Sequence, residues 1–351
     1  MEEKKHGLAI VGFGGMGRRH TEMIQQVPQI VLCGIYDVLE QQKELARSLG
    51  INAYNTMEEL LADPAVDLVL VATPNNYHKD IAVQALRAGK NVICEKPVTV
   101  TSAELEEIIA TANECGRLFT VHQNRRWDDD YLTIKKVMDE GTIGDVFHLE
   151  TRVHGSRGIP QDWRRAKSAG GGMLFDWGVH LLDRLLLLIP EKIRTVYCKL
   201  SHILGQEVDD GFWMLLIFES GKTAIVEAST WNFDTLPKWY VCGSKGTAVI
   251  QDWDLNGRIA LLKDFENFDT APVKGASGYT KTMAPRVDDS VAFLPLPKVE
   301  SDVRDFYRNV LDTLDGKSSQ LVQHEQVLRV MRLIEAAFLS DAESKVCSFE
   351  L

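Results

Sequence analysis

The fold of this chain is decided by Gly12-Phe-Gly14-Gly-Met-Gly17, a turn between a strand-like run, Leu8–Val11, and a helical pattern, Met16–Gln26. Gly12 permits the tight turn, Gly14 lets the backbone approach a pyrophosphate, and Gly17 allows the helix to pack closely on the strand. The N-terminus of such a helix offers free N–H groups and a partial positive charge to phosphates. The pattern therefore predicts a dinucleotide-binding turn.

An acidic residue, Asp37, follows Gly17 by 20 residues and ends the second predicted strand. A carboxylate at this distance accepts hydrogen bonds from the adenosine ribose of a dinucleotide. It would repel a phosphate on that ribose, and neither of the two residues after it is a cation, so NAD is favoured over NADP. Arg18 and Arg19 on the first helical turn leave NADP open, although arginines there more often form a solvated helix face.

Short apolar runs alternate with helical patterns over the first 122 residues, which predicts a parallel, doubly wound sheet and an α/β fold. One helical pattern opens with the capping-box sequence Thr101-Ser-Ala-Glu104 and ends at Gly116. After about residue 123, strand-like runs follow one another through short glycine-containing turns, which predicts an antiparallel or mixed sheet. Ala271–Lys298 is predicted to be loop-rich. We therefore expect domains at residues 1–123 and 124–351, with the last two helices packing back on the first domain.

Composition and charge exclude several classes of protein. Of 351 residues, 45% are hydrophobic and 25% are charged, which is typical of a globular chain, and the net charge of −11 makes a nucleic acid or an anionic membrane a poor partner. The six cysteines are scattered without a C-x-x-C pair, so we expect buried, reduced thiols. The charged start Met1–His6 does not resemble a signal peptide, and the longest apolar run, Leu185–Ile189, is too short to cross a bilayer. A cytoplasmic location is the resulting expectation.

Two further motifs follow predicted strands. Thr73-Pro-Asn-Asn-Tyr-His78 comes after the third strong strand, and ligands bind at the carboxyl ends of parallel strands, although a simple turn and helix cap would have the same composition. Glu95-Lys96-Pro97 comes after the next strand. A residue before proline is held in extended geometry, so the Lys96 side chain should leave the strand end in a fixed direction, over the nicotinamide. A surface charge is the alternative for this lysine.

A second cluster lies in the helical pattern at Met173–Leu188, which follows Gly170-Gly-Gly172. Asp176 and His180 are four residues apart and hence share one helix face, and Asp183 lies near it. A carboxylate and an imidazole in so apolar a helix are costly unless they pair with each other or act on a ligand. A satisfied core Asp–His pair is one alternative, and zinc is a weaker one, because no third ligand with suitable spacing appears.

Together these residues resemble the glucose–fructose oxidoreductase, inositol dehydrogenase and rhizopine-catabolism family, abbreviated Gfo/Idh/MocA. The resemblance extends over nearly the whole chain. It rests on six motifs in order: Gly12–Gly17, Thr73–Asn75 with His78, Glu95–Pro97, Asn124–Trp127, Asp162–Arg164 and the glycine-led helix of Asp176 and His180.

The resemblance implies a Rossmann domain followed by an α+β domain whose large, open, predominantly antiparallel sheet forms a homodimer or homotetramer. It implies a catalytic group of Lys96, Asp176 and His180, and a cis peptide at Lys96–Pro97. The implied cofactor contacts are Gly12, Phe13, Gly14, Gly15, Met16, Gly17, Asp37, Thr73, Pro74, Asn75, His78, Glu95, Lys96, Trp163 and Arg164. The implied substrate contacts are Lys96, Arg125, His154, Asp176, His180 and Trp231. No metal is implied.

The expected reaction is reversible hydride transfer between NAD and a secondary alcohol of a small sugar, sugar derivative or cyclitol. His180 is the expected general base, since an imidazole with a pKa near 6.5 suits neutral pH, and Lys96 stabilises the developing charge on oxygen. Either residue could be the proton acceptor. Two alternatives stay open: bond cleavage through transient oxidation of a sugar by tightly held NAD, and a non-catalytic NAD-binding sensor.

Overall fold

The computed structural model describes residues 4–263, 272–275, 277–280, 286 and 289–349. Residues 1–3 of the charged start, and part of the predicted loop-rich stretch Ala271–Lys298, lie outside the described residues. Among the helices that the structure describes, none combines the length and the apolar character that a membrane span requires.

A parallel sheet of five strands occupies the first part of the chain. Its strands are joined in the order β2-β1-β3-β4-β5, and all four pairings are parallel, which confirms the predicted doubly wound sheet. The chain order reverses between β1 and β3, and ligands bind at such a switch point, beyond the carboxyl ends of the strands. The strands are β1 (His6–Val11), β2 (Ile30–Tyr36), β3 (Leu68–Val71), β4 (Asn91–Cys94) and β5 (Phe119–Val121).

Five helices connect these strands. The predicted capping box is present on the fifth, where Thr101 and Glu104 satisfy each other's backbone N–H groups, and the helix ends at Gly116 in a left-handed conformation. The helices are α1 (Gly15–Ile24), α2 (Glu40–Ser48), α3 (Met57–Ala62), α4 (His78–Arg87) and α5 (Ser102–Cys115).

A nine-stranded sheet forms the second layer, in the order β15-β12-β11-β10-β6-β9-β8-β7-β16, and a separate two-stranded sheet pairs β13 with β14. All pairings in the large sheet are antiparallel except that of β6 with β9, which confirms a predominantly antiparallel sheet. The strands are β6 (Val146–His154), β7 (Ile193–Ser201), β8 (Gly211–Phe218), β9 (Thr223–Ser229), β10 (Trp239–Gly243), β11 (Gly246–Ile250), β12 (Gly257–Leu262), β13 (Val273–Lys274), β14 (Tyr279–Thr280), β15 (Val291–Leu294) and β16 (Cys347–Ser348).

Four more helices belong to the second part of the chain, and at least three of them pack against the large sheet. They are α6 (Asp129–Asp139), α7 (Val179–Leu188), α8 (Asp305–Leu314) and α9 (His324–Glu343). The backbone N–H of Ser102 donates to Glu335 on α9 at 2.6 Å, and His20 on α1 bonds Tyr307 on α8. The last two helices therefore contact helices of the parallel sheet.

The prediction of one regular α-helix over Met173–Leu188 is wrong at its start. Leu174–Gly178 forms a π-helical turn, and α7 begins only at Val179. Glycine suits this turn, because a Cβ at position 178 would lie 2.9 Å from the Leu174 side chain and 3.3 Å from the Phe212 ring. π-helical turns within helices are frequent at functional sites.

The cysteines are less uniformly buried than the sequence suggests. All six are free thiols, but only Cys94 and Cys198 are buried, and the other four are partly exposed.

Candidate active site

The glycine-rich turn has the backbone geometry that a dinucleotide requires. Gly12 has a φ of +95°, and a Cβ there would lie 2.6 Å from the Ala72 carbonyl oxygen. A Cβ on Gly17 would lie 2.1 Å from the Gly12 carbonyl oxygen, so helix and strand meet at this glycine, whereas a Cβ on Gly14 would have no atom within 4 Å. Among the described residues, no side chain caps α1. The turn therefore fits a pyrophosphate beside Gly14.

Asp37 braces this turn. Its Oδ2 accepts the Phe13 backbone N–H at 2.7 Å, and its Oδ1 accepts that of Leu39 at 2.9 Å. Each carboxylate oxygen has a second lone pair, so both can still accept a ribose hydroxyl. The Phe13 side chain is buried in the core, while Arg18 donates to the Phe13 carbonyl and to Gln42 at 3.3 Å each. One cation thus stands near the same end of the sheet.

The motif after β3 joins the two parts of the chain. The Asn75 amide donates to the Gly170 carbonyl at 2.9 Å, and Pro74 precedes it in extended geometry. Thr73 has a buried hydroxyl with no hydrogen-bond partner among the described residues. The His78 ring is buried, and its two nitrogens lie 2.8 Å and 3.0 Å from the backbone carbonyls of Thr73 and Pro97. His78 therefore fixes the loops around the site through backbone contacts, and burial lowers its pKa.

Lys96 stands at the end of β4 and is joined to Pro97 by the expected cis peptide bond. Its Nζ lies 3.0 Å from Asp176 Oδ1 and donates to the Asp176 carbonyl, also at 3.0 Å. The other carboxylate oxygen, Oδ2, lies 3.1 Å from Arg164 Nε. The π-helical turn thus presents both a carbonyl and a carboxylate to the lysine.

The Asp176 carboxylate is ionised between these two cations. Burial raises its pKa, but Lys96 and then Arg164 outweigh this, so the pKa lies below its usual value. Arg164 also pairs with Asp162 at 2.7 Å and stacks on Trp163, with 4.7 Å between guanidinium and ring. The structure therefore gathers Lys96, Asp176, Trp163 and Arg164 into one group.

His180 lies one turn further along the same helix and is buried. Burial lowers its pKa well below 6.5, and the positive charges of Lys96, Arg125 and Arg184 lower it further. Its Nδ1 has no hydrogen-bond partner among the described residues. The imidazole is therefore neutral at pH 7, so one of its two nitrogens carries no proton.

Arg125 contributes a charged, aromatic wall beside this group. Its guanidinium stacks on Trp177 at 4.4 Å and on Trp253 at 5.6 Å, and it pairs with Asp128 at 2.7 Å. Trp177 is also in edge contact with His180, with ring centroids 6.0 Å apart. Arg125 and Trp253 line a cavity of about 540 Å³ between α1 and the second sheet.

Three predicted contacts lie elsewhere. His154 pairs with Glu227 at 3.2 Å on the large sheet, and Trp231 is 41% exposed, in contact with Phe233. Neither is in this group. The Glu95 side chain is buried, and its carboxylate binds His20 and His122.

Several residues that position the site were missed from the sequence. The Asp209 carboxylate accepts the Leu174 N–H at 2.7 Å and so caps the start of the π-helical turn that carries Asp176. Arg126 binds Asp183 of α7 through two hydrogen bonds, at 2.6 Å and 2.8 Å. Each pair joins segments more than 30 residues apart, so local spacing carries no signal for them, although Arg126 and Asp183 do lie within recognised motifs.

Comparison with known proteins agrees with this geometry. Residues 7–123 match an oxidoreductase family with an NAD-binding Rossmann fold, and residues 131–249 match the C-terminal domain of the same Gfo/Idh/MocA proteins. The crystal structure of an NAD-binding protein from Listeria innocua is 46% identical and has a TM-score of 0.96, covering 99% of this chain and 100% of that one.

Two curated relatives carry different activities. The scyllo-inositol 2-dehydrogenase (NADP(+)) of Bacillus subtilis is 28% identical over 349 residues, which are 98% of this chain and 96% of that protein. The 2,7-anhydro-N-acetylneuraminate hydratase of Escherichia coli is 28% identical over 270 residues, which are 74% of this chain and 71% of that protein.

Proposed function

The chain belongs to the Gfo/Idh/MocA oxidoreductase family, and on this premise we propose that it transfers a hydride reversibly between NAD and a secondary hydroxyl of a sugar, a sugar derivative or a cyclitol. The observation that carries the proposal is the Lys96 ammonium, held 3.0 Å from Asp176 and near the buried His180. A hydrogen-bond donor beside a neutral base suits an alcohol that loses its O–H proton during oxidation.

The cofactor site is proposed from the fit of the turn. When bound, the nicotinamide ring supplies the hydride acceptor. The proposed contacts are the backbone of Gly12–Gly17, Asp37, the Thr73–Asn75 loop and, at the nicotinamide end, Lys96, Trp163 and Arg164. We prefer NAD to NADP because Asp37 is braced as a carboxylate at the ribose end, although Arg18 stands nearby and one relative is an NADP(+) enzyme.

His180 is the proposed general base. Its lowered pKa keeps the ring neutral at pH 7, so one ring nitrogen carries no proton and can take that of the hydroxyl. The same cations that lower this pKa, Lys96 and Arg125, make the protonated ring a good acid, so the proton is readily returned when a ketone is reduced.

Lys96 is the proposed electrophile. An ammonium has three N–H donors, and two of them are occupied by Asp176. The third is available to the substrate oxygen, where it stabilises the negative charge that develops as the proton leaves. Asp176 keeps the ammonium oriented, and Arg164 limits the rotation of the Asp176 carboxylate.

The proposal is tested with a panel of sugars, sugar acids and cyclitols, including scyllo- and myo-inositol, offered with NAD or NADP. We expect steady growth of reduced-nicotinamide absorbance with at least one polyol and a higher kcat/KM with NAD. The variant Lys96→Met should lose that activity while keeping NADH binding. No absorbance change with any member of the panel would contradict the proposal.

A second candidate is a net reaction without redox change, favoured by the relative that is a hydratase. With NAD as the hydride acceptor, the same base and electrophile would assist a transient oxidation of the sugar to a ketone. Elimination or addition would follow next to the new carbonyl, and NADH would then return the hydride and restore the alcohol. Product release from a glycoside or anhydro-sugar without growth of NADH absorbance distinguishes this reaction. A pure sensor needs neither Lys96 nor His180, so their proximity argues against that class.

The quaternary proposal concerns the outer face of the large sheet. Along β8 the inward side chains are buried, while the outward ones, Trp213, Leu215 and Ile217, are partly exposed although apolar. A one-sided antiparallel sheet normally exposes polar residues, so we assign this face to a second copy of the chain. The division at residue 123 and a cytoplasmic location are kept as further proposals.

A further inference from the structure

A fully buried polar cluster lies behind Lys96, outside the contacts already described for the reaction. The Glu95 Oε1 atom lies 2.7 Å from His20 Nε2 and 2.8 Å from His122 Nδ1. The other nitrogen of His20, Nδ1, is in hydrogen-bond contact with the Tyr307 hydroxyl. All four side chains are at most 6% exposed. His20 of α1 and His122, directly after β5, thus meet at one carboxylate, and Tyr307 of α8 supports His20.

The hydrogen bonds of this cluster assign the protons that lie between its members. An ionised Glu95 can only accept, so His20 donates from Nε2 and His122 donates from Nδ1. His20 Nδ1 is then an acceptor for the Tyr307 O–H. Burial raises the pKa of Glu95, but His122 and His20 outweigh it and hold the carboxylate ionised, while burial lowers the pKa of His20. A buried carboxylate survives only with such donors.

The remaining oxygen of this carboxylate binds the backbone of Lys96. Glu95 Oε2 accepts the backbone N–H of Lys96 at 3.0 Å. Two donors therefore hold one oxygen and orient the other onto the residue that carries the ammonium. Pro97, the next residue, has no N–H and cannot donate a backbone hydrogen bond. The bond from the Lys96 N–H to Glu95 therefore holds the backbone directly before Pro97.

We propose that Glu95, locked by His20, His122 and Tyr307, is a positioning residue for Lys96: it fixes the backbone from which the ammonium reaches Asp176. This role rests on the proposed function, because the alcohol oxygen must meet a fixed N–H donor. A misplacement of about 1 Å in such a donor costs about 100-fold in rate. The cluster also ties α8 to the parallel sheet, so packing in the second half of the chain bears on the lysine.

The same three residues have the donor set of a metal site, and the distances decide against this reading. His20, Glu95 and His122 each offer one atom, all within 4.8 Å of one another. Ligands of a tetrahedral zinc, each about 2.0–2.1 Å from the metal, would stand about 3.3 Å apart. The observed nitrogen–oxygen distances of 2.7 and 2.8 Å are those of direct hydrogen bonds.

Glu95→Gln tests the proposal, since the amide keeps the size of the side chain. Its oxygen can still accept from both histidines, but its NH₂ group would then face the Lys96 N–H, donor against donor. We expect kcat to fall about 100-fold, with KM for the polyol and the Kd of NADH within about threefold of the wild type. A folded variant whose kcat stays within threefold overturns the proposal.

A matched pair at His122 separates hydrogen bonding from packing. Asn places an N–H near the position of Nδ1, whereas Leu removes it, so His122→Asn should retain kcat within about fivefold and His122→Leu should not. Equal loss in both variants would assign the ring a packing role against Phe306 and overturn the proposal. One bound zinc per chain in purified protein would also overturn it.

Amide hydrogen exchange of Lys96, followed by NMR, keeps the test independent of turnover. We expect exchange at least about 10-fold faster in Glu95→Gln and His122→Leu than in the wild type and His122→Asn. Unchanged exchange overturns the positioning role even if no polyol is oxidised. If exchange is faster in these two variants but the wild-type protein oxidises no substrate, the proposed function is refuted. The positioning of the Lys96 backbone by Glu95 is then still supported.

Discussion

The charge on Asp176 is the perturbation for which the structure gives the sharpest expectation. Asp176→Asn preserves the size of the side chain, and its amide oxygen can still accept one N–H from Lys96. It removes the negative charge that lies 3.0 Å from Lys96 Nζ and 3.1 Å from Arg164 Nε. The hydrogen bond from Lys96 Nζ to the backbone carbonyl of residue 176 is unaffected.

The magnitude follows from the burial of the three groups. Removing one partner of a fully buried ion pair costs about 3–5 kcal/mol, and these side chains are 13–22% exposed, so we expect a loss of about 2 kcal/mol in unfolding free energy. For a chain of 351 residues this corresponds to a fall of about 3 °C in Tm. The lysine would lose its charged restraint, and kcat should fall about 100- to 1000-fold, as when one oxyanion donor is lost.

The assay is reduced-nicotinamide absorbance with the best polyol, together with thermal unfolding. Asp162→Asn is the matched control, because it removes the other carboxylate that binds Arg164, at a side chain that is 41% exposed. It should change stability by less than about 1 kcal/mol and kcat by less than about threefold. An Asp176→Asn enzyme with kcat within tenfold of the wild type would refute the assignment of Asp176 as the residue that orients Lys96.

Four further predictions concern other groups of the molecule. Burial raises the pKa of Asp209 to about 6, so the contribution of its protonated form to stability is present below about pH 4 and is lost as the pH rises through 6. In denaturant titrations, the unfolding free energy of Asp209→Asn relative to the wild type should therefore rise by up to about 3 kcal/mol from pH 4 to pH 7. A difference that stays constant with pH would contradict this prediction. Because the pKa of His180 lies well below 6.5, the kcat of oxidation should stay level as the pH falls through 6.5, and an acid limb at or above that value would refute His180 as the base. Asp37→Ser should lower the NAD/NADP ratio of kcat/KM at least about tenfold, measured with both cofactors. Trp213→Glu should convert the oligomer to a monomer in light scattering, and an unchanged mass would move the interface off the outer sheet face.

The parallel sheet was accessible from the sequence because its signals are local. The capping box at Thr101, the stop at Gly116 and the turn at Gly12 each depend on the conformational freedom of residues a few positions apart. Strand ends in a parallel sheet share one edge, so Thr73 and Lys96 could be assigned to the same face without knowledge of any contact.

The helical segment that carries Asp176 and His180 shows where such local reasoning ends. The spacing of Asp176 and His180 placed them together, yet the π-helical turn is capped by Asp209 from a later segment of the chain, and its Gly178 packs against Phe212. A periodicity read from one helix contains no information on that neighbour. His154 and Trp231 stay predicted substrate contacts, because the partners that the structure gives them, Glu227 and Phe233, do not test that role.

By itself the sequence determined the class of fold, the glycine-rich turn, and the strand end and helix face that carry Lys96, Asp176 and His180, because backbone freedom, strand ends and helix faces are properties of neighbouring residues. Only the tertiary structure decided what those residues do to one another. In the folded chain Asp176 forms ion pairs with Lys96 and Arg164, and burial together with cations from other segments lowers the pKa of His180. The Glu95 carboxylate binds two histidines. Charge and burial act through space, between segments that folding brings together, and spacing along the chain does not contain them.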